Sequence, residues 1–185
     1  RELATEITKF LCYEALQNIR MKEVSVTTPL AEAKCRKIDT DIVVVPILRA
    51  GVGMLEGILE LVPTARVGFV GLFRDEETKK PVTYYERFPP QIDGGTCIVI
   101  DPMLATGNSA CKAIEVLLAA KVPEEKIIFV NLIAAPQGIA KMKATYPKIT
   151  ILTSMIDECL NDKAYIMYVR EWMEDDPDPR IFEDN

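Results

Sequence analysis

The chain has 185 residues, 49% hydrophobic and 27% charged, enough to bury a full core without disulfides or metals, which excludes disorder for most of its length. A balance of 28 acidic against 22 basic side chains gives a net charge of -6, which excludes a general binder of nucleic acid or of an anionic membrane, since either needs a basic face. Histidine is absent, so Ser-His-Asp and Cys-His catalysis and most zinc sites are excluded, and the chemistry must rest on carboxylates, backbone amides, Arg or Lys.

The first predicted element is a helix over Glu2 to Leu16, with apolar groups at Leu3, Ile7, Phe10, Leu11 and Cys12. The chain opens at Arg1 inside this pattern without an initiator Met, so further residues are expected upstream of a single domain spanning 1–185. Ile42-Val43-Val44-Val45 is a β-branched run without polar alternation, as expected of a strand covered on both faces of a parallel sheet. Arg66 to Leu72, Cys97 to Ile100, Ile127 to Ile133 and the shorter Ile149 to Leu152 repeat that signal. Helical patterns over Ser109 to Ala120 and Gln137 to Ala144 alternate with the strands. The alternation implies right-handed crossovers and an α/β, doubly wound, mostly parallel sheet with helices on both faces. The polar, proline-bounded stretch from Arg74 to Phe88 is expected to leave the sheet as a mobile hairpin, and the acidic, proline-interrupted tail from Glu171 to Asn185 to lie on the surface.

Five cysteines, Cys12, Cys35, Cys97, Cys111 and Cys159, are widely spaced and form no C-x-x-C pair, a weak pattern for either metal or disulfide and one that fits a reducing cytoplasm. No run of about 18 apolar residues and no signal-peptide pattern occurs, so neither a membrane span nor secretion is expected.

Two strand ends carry the candidate chemistry. In Ile100-Asp101-Pro102-Met103-Leu104-Ala105-Thr106-Gly107-Asn108-Ser109 a strand ends on a carboxylate, small residues follow, and Ser109 is placed to cap the next helix. Loop amides and a helix N-terminus facing one point make an anion site, and in open α/β sheets ligands bind beyond the carboxyl ends of the strands. The same spacing also suits an ordinary strand-turn-helix connection with a Ser cap. The loop is not a Walker motif, because the Gly-Lys-Ser/Thr ending is absent. A carboxylate beside a phosphate nest repels it, so Asp101 must address something else, such as sugar hydroxyls or a metal. In Val45-Pro46-Ile47-Leu48-Arg49-Ala50-Gly51 a second strand end presents Arg49, whose planar fork suits a phosphate or carboxylate and whose alternative is a solvated surface charge.

Asp101 to Ser109 resembles the 5-phosphoribosyl diphosphate (PRPP) signature of the type I phosphoribosyltransferases. Together with Val45 to Gly51 and Arg74-Asp75-Glu76-Glu77-Thr78, in this order and spacing, it resembles the uracil phosphoribosyltransferase family over about Glu2 to Ile166. The resemblance implies transfer of ribose 5-phosphate from PRPP to N1 of uracil, giving UMP and diphosphate, in pyrimidine salvage. It implies that Asp101, Arg49 and Arg74 are catalytic, Asp101 holding the ribose hydroxyls and the two arginines meeting the diphosphate, and that Pro102, Met103, Leu104, Ala105, Thr106, Gly107, Asn108 and Ser109 bind PRPP, the last five as the 5'-phosphate cradle. Ile166 then lines the uracil site, Mg2+ enters bound to PRPP, and the 74–88 hairpin serves as a flap that excludes water. Dimers or tetramers of the chain and a GTP effector, known for some relatives, are further implications.

Two departures from the family pattern stand out. Asn108 occupies a position that is often Gly, and Asn tolerates left-handed backbone better than most residues. After Tyr165-Ile166 the family carries a Pro-Gly-x-Gly-Asp-x-Gly-Asp-Arg segment that reads the edge of uracil with its backbone, whereas this tail has no Gly. Aligning Arg180-Ile181-Phe182 with the family's end places Asp176 on its first Asp, Asp175 on the preceding Gly, and Pro177, which lacks an N–H, beside them. Asp176 is thereby assigned to PRPP and uracil, and Asp175 and Pro177 to uracil. The alternatives are a phosphoribosyltransferase for another base and a catalytically silent module that senses PRPP or a nucleotide.

Overall fold

A central strand buried along all but its last residue organises the molecule. In the computed structural model, which describes residues 2–75, 80–158, 160, 161 and 166, strand β3 (Ile42–Leu48) is buried at each position from Ile42 to Ile47. Successive side chains of a strand point to opposite faces. Accordingly Val43, Val45 and Ile47 enter one apolar cluster and Ile42 and Val44 another. Both faces of the strand are covered, which is why its sequence shows no polar alternation.

Ahead of β3 come helix α1 (Glu2–Leu16) and the antiparallel pair β1 (Met21–Thr27) and β2 (Glu32–Ile38), which form a separate two-stranded sheet. After it come α2 (Val52–Leu61), β4 (Arg66–Val67), β5 (Phe69–Arg74), β6 (Pro81–Arg87), β7 (Thr96–Ile100), β8 (Met103–Leu104), α3 (Asn108–Ala119), β9 (Ile127–Ala134), α4 (Pro136–Thr145) and β10 (Thr150–Ile156). The eight-stranded main sheet runs β10-β9-β7-β3-β5-β6, with β4 beside β3 and β8 beside β9. Every pairing is parallel except β5 with β6. Helices α1 and α2 cover one face, where Leu11, Cys12, Met54 and Ile58 meet Ile98, Ile100 and Val130. Helices α3 and α4 cover the other, where Ala113, Ile114, Leu117 and Met142 meet Val99, Cys97 and Phe129. The architecture is the doubly wound α/β sheet that the strand-helix alternation implies.

Strand order reverses beside β3. From β3 the chain steps to β5 on one side, then crosses back to lay down β7, β9 and β10 in turn on the other. The gap between β3 and β7 is therefore the switch point of the sheet, where two connections leave in opposite directions and open a crevice beyond the strands' carboxyl ends.

Some local expectations change. Helix α1 buries Thr5, Thr8, Leu11, Cys12 and Ala15, whereas Leu3 and Phe10 stay 74% and 73% exposed. Thr5 and Thr8 face the helix-helix contact because α2 approaches there: a Cβ on Gly57 would stand 2.6 Å from the Thr5 carbonyl oxygen. Thr8 satisfies its hydroxyl by donating to the Ala4 carbonyl at 2.7 Å. Residues 81–87 do not leave the sheet but form its antiparallel edge strand, closed onto β5 by the Asp75 N–H donating to the Lys80 carbonyl at 3.0 Å. Glu76, Glu77, Thr78 and Lys79 lie outside the described residues.

Candidate functional site at the switch point

Both sequence-selected loops leave the sheet at this crevice. Pro46 of β3 lies in register with Ile100 of β7, so Arg49, three residues after Pro46, and Asp101, one after Ile100, stand at the carboxyl ends of adjacent strands. Gly51 locks the two together, because a Cβ there would come within 2.4 Å of the Ile100 carbonyl oxygen and 2.7 Å of the Ile47 nitrogen. The turn into α2 is then closed by the Gly51 N–H donating to Ile47 O at 2.9 Å and the Met54 N–H to Gly51 O at 3.1 Å. Arg49 itself is exposed at the rim, and its peptide bond to Leu48 is cis.

The Asp101 loop is held by main-chain bonds along β9. Asp101 N–H donates to Val130 O at 3.2 Å, the Pro102 carbonyl accepts from Leu132 and Ile133 at 3.0 and 3.1 Å, and Leu104 O accepts from Ala135 N–H at 2.8 Å. Pro102 and Leu104 are thereby buried as anchors, and Met103 is half-buried, while Asp101, Ala105 and Thr106 remain partly accessible. Gly107 turns the chain with φ +77°, a left-handed conformation that glycine adopts without steric cost, and Asn108 begins α3. The cap of α3 is Gly107, not Ser109: no side-chain cap bond forms, and Ser109 is exposed within the first turn. The helix starts one residue earlier than its polar pattern suggests, because the glycine's φ, not a hydroxyl, sets the turn. Gly107 supplies no side-chain cap; the Asn108 N–H makes a long bond of 3.5 Å to the Thr106 hydroxyl, and an external anion is the natural further acceptor at this N-terminus.

Helix α4 backs the loop. A Cβ on Gly138 would stand 2.5 Å from the Ala105 carbonyl oxygen and 2.9 Å from that of Leu104, so only glycine lets α4 lie this close. One turn on, Lys141 Nζ donates to Asn108 Oδ1. This contact joins residues 33 positions apart, and no local pattern in the sequence announces it.

Arg74, also exposed, ends β5, the strand on the other side of β3; Leu48 and Gly71 are partners, which carries Arg74 farther out along the same edge. Asp101, Arg49 and Arg74 thus occupy three adjacent strand ends, β7, β3 and β5. Ile166 lies apart from them in the chain, beyond β10, 3% exposed and bridged antiparallel to Leu160. Asp157, at the end of β10, is a residue the sequence reading passes over. It is 1% exposed, its N–H donates to Ala134 O at 2.8 Å, and its Oδ1 accepts from the Glu158 N–H at 2.7 Å. Its signal in the sequence is weaker than that of Asp101, because Thr153 and Ser154 interrupt the apolar run ahead of Met155-Ile156-Asp157. Asp175, Asp176 and Pro177 lie outside the described residues.

Burial raises the thiols of Cys12 and Cys97 to about 11 and about 12, so both remain protonated packing groups at neutral pH. Among the described residues no group of three or more His, Cys, Asp or Glu gathers to hold a metal ion. A surface groove of about 450 Å³ along α2 is lined by Val52, Leu55, Glu56, Leu59 and Glu60. Its two carboxylates make it a poor seat for a phosphate, and the crevice between β3 and β7 is the better candidate on charge.

Known proteins resemble this chain over most of its length. The family model described as uracil phosphoribosyltransferase matches residues 1–168. Proteins named uracil phosphoribosyltransferase from Mycoplasmoides gallisepticum and Dictyoglomus thermophilum are 46% and 49% identical over 168 residues, 90% of this chain and 80% of each relative. The solved AQ2163 protein of Aquifex aeolicus superposes with a TM-score of 0.81 at 38% identity, over 89% of this chain and 78% of that one. A hypoxanthine-guanine phosphoribosyltransferase from Bacillus anthracis shares the fold alone, with a TM-score of 0.55 at 12% identity, over 85% of this chain and 79% of that one.

Proposed function

The chain belongs to the uracil phosphoribosyltransferase family, and from that membership we propose that it transfers ribose 5-phosphate from PRPP to uracil at the β3–β7 crevice, releasing diphosphate and UMP. The observation that carries this reading is the convergence of Arg49, Arg74 and the Asp101–Ser109 loop on the switch point of the sheet. In the reaction the bond from ribose C1 to the diphosphate oxygen breaks and a bond to uracil N1 forms, through a transition state with oxocarbenium character. Such a step needs positioning and charge stabilisation more than a covalent catalyst, so the absence of histidine costs it nothing.

The division of labour follows from the two ends of PRPP. The 5'-phosphate is taken by the amides of Ala105, Thr106, Gly107, Asn108 and Ser109, which lie at a helix N-terminus whose N-cap is a glycine. Asp101, set back at the strand end and backed by Val130, accepts hydrogen bonds from the ribose hydroxyls. Arg49 and Arg74 stabilise negative charge as it grows on the departing diphosphate. With the substrate gripped at both ends, C1 is held between them.

Phosphoribosyltransferases generally use Mg2+ with PRPP. Asp101 fits such an ion, being a partly accessible carboxylate, the hard oxygen donor magnesium takes. When bound, the ion supplies charge neutralisation on the diphosphate. The β5–β6 hairpin, with Arg74 beside its turn, is part of the same proposal as a cover that keeps water from the reacting ribose. A homodimer or homotetramer is also part of it, and the exposed Leu3, Phe10 and Tyr13 of α1 support an apolar contact between copies.

A second reading, transfer to a different base, is favoured by one observation. The family match ends at residue 168, and residues 169–185, where relatives' base-reading glycines are expected, contain no glycine.

The test combines turnover with a substitution. The wild-type chain is expected to release diphosphate from PRPP only when uracil is supplied. Arg49→Ala is expected to raise the KM for PRPP about tenfold, the usual cost of one charge-assisted contact. Unchanged KM and kcat in that variant would remove Arg49 from the diphosphate site.

A further inference from the structure

The start of α3 collects positive charge that nothing among the described residues offsets. Its first turn has no acidic residue, and Gly107, its N-cap, has no side chain; the Asn108 N–H makes only a long bond, 3.5 Å, to the uncharged Thr106 hydroxyl. The positive end of the helix dipole favours an anion and disfavours a cation. Yet α4 delivers a lysine to this point. A Cβ on Gly107 would lie 3.1 Å from the Gly138 carbonyl oxygen and 3.5 Å from Lys141 Cβ, so the stem of Lys141 stands directly against the left-handed glycine of the loop. Its Nζ is held by Asn108 Oδ1, at the first residue of α3. An amide oxygen orients an ammonium without neutralising it. No carboxylate among the described residues pairs with Lys141, although other lysines and arginines of this acidic chain do find partners. Two of the three N–H donors of the ammonium remain for another acceptor.

We propose that Lys141 is a further phosphate-binding residue of this site, contacting the 5'-phosphate in the Ala105–Ser109 cradle, and that Asn108 is its positioning residue. The inference rests on the reading of that loop as the 5'-phosphate cradle. It also gives the Asn at 108 a purpose, since a glycine there has no side-chain oxygen to hold the ammonium. Lys141 is exposed on α4, so its replacement leaves the core intact.

The experiment uses the full chain and two probes read by titration calorimetry: ribose 5-phosphate, which reports on the cradle, and diphosphate, which reports on the Arg49 and Arg74 side. Lys141→Met is expected to weaken ribose 5-phosphate about tenfold and to leave diphosphate unchanged, with Lys141→Arg recovering most of the loss. Asn108→Gly is expected to weaken ribose 5-phosphate less than Lys141→Met does, and the double variant to bind no worse than Lys141→Met alone. Wild-type affinity for ribose 5-phosphate in Lys141→Met would overturn the proposal while leaving the cradle standing. Equal losses for both probes would also overturn it, reducing Lys141 to a general contribution to the field. Failure of the wild-type chain to bind ribose 5-phosphate or PRPP would remove the cradle and the proposal together.

Discussion

Asp101→Asn is expected to lower the rate of nucleotide formation by about 10²-fold or more while the melting temperature moves by only about 3 °C. The carboxylate sits at the end of β7, outside the apolar clusters on either face of the sheet. What fixes the loop locally is main chain: the Asp101 N–H to Val130 O and the Pro102 carbonyl to Leu132 and Ile133. Asn is nearly isosteric and leaves those bonds in place. It loses the charge and the second strong acceptor, which in the proposed role take the ribose hydroxyls as C1 becomes electron-poor. Steady-state kinetics with uracil and PRPP, beside a thermal melt, separates the two effects. If stability falls as steeply as turnover, Asp101 is a folding residue and its assignment to the ribose is wrong.

The second large effect is expected from adding one methyl group. In Gly51→Ala the new Cβ meets Ile100 O, Ile47 N and Ile47 O at 2.4 to 2.8 Å, all of them backbone atoms that no rotamer change can move. Either the turn from β3 into α2 lifts away from β7 or the ends of both strands shift. The expected cost is about 1–3 kcal/mol in denaturant unfolding, as for other overpacked sites. Arg49 and Asp101 also lose their relation across the crevice, so PRPP affinity falls with stability. Gly53→Ala is the matched control. No atom lies within 4 Å of a Cβ there, and the position is helical, so stability is expected to hold or rise slightly. A Gly51→Ala chain with unchanged unfolding midpoint and unchanged PRPP affinity would mean that the close approach of these two strand ends does not build the site.

The parts of the fold that were legible in the sequence are those in which burial leaves no ambiguity. The runs at Ile42, Cys97 and Ile127 announce strands because both faces of the sheet are covered and polar alternation has nowhere to occur. The β1–β2 pair lacks that signature. Its residues are almost all exposed, Lys, Glu and Arg interrupt any apolar period, and among the described residues Ile38 is its one contact with the apolar clusters. Helix α2 is diluted by Gly53 and Gly57, and the second of these is present because α1 packs against it. On α1 the apolar pattern finds Leu11 and Cys12 of the buried face but also picks out Leu3 and Phe10, which are exposed. The structure buries Thr5 and Thr8 instead, since a close helix crossing favours small side chains over Leu3 and Phe10.

The site divides in the same way. Asp101, Arg49 and the small residues of the Ala105–Ser109 loop follow strand runs and are legible as strand ends. That both loops flank one switch point depends on strand order, a long-range property that no window of sequence contains. Lys141 reaches Asn108 for a similar reason, through the glycine-to-glycine contact of α4 with the loop.

A crevice that joins ribose 5-phosphate to uracil must yield one nucleotide from one base. The most direct measurement is mass-spectrometric identification of the nucleotide formed when the chain is incubated with PRPP, Mg2+ and, separately, uracil, cytosine, hypoxanthine and no base. UMP in the uracil reaction, with no nucleotide in the others, is the expected result. A different nucleotide formed without UMP, or PRPP bound with no nucleotide formed from any base, would contradict it.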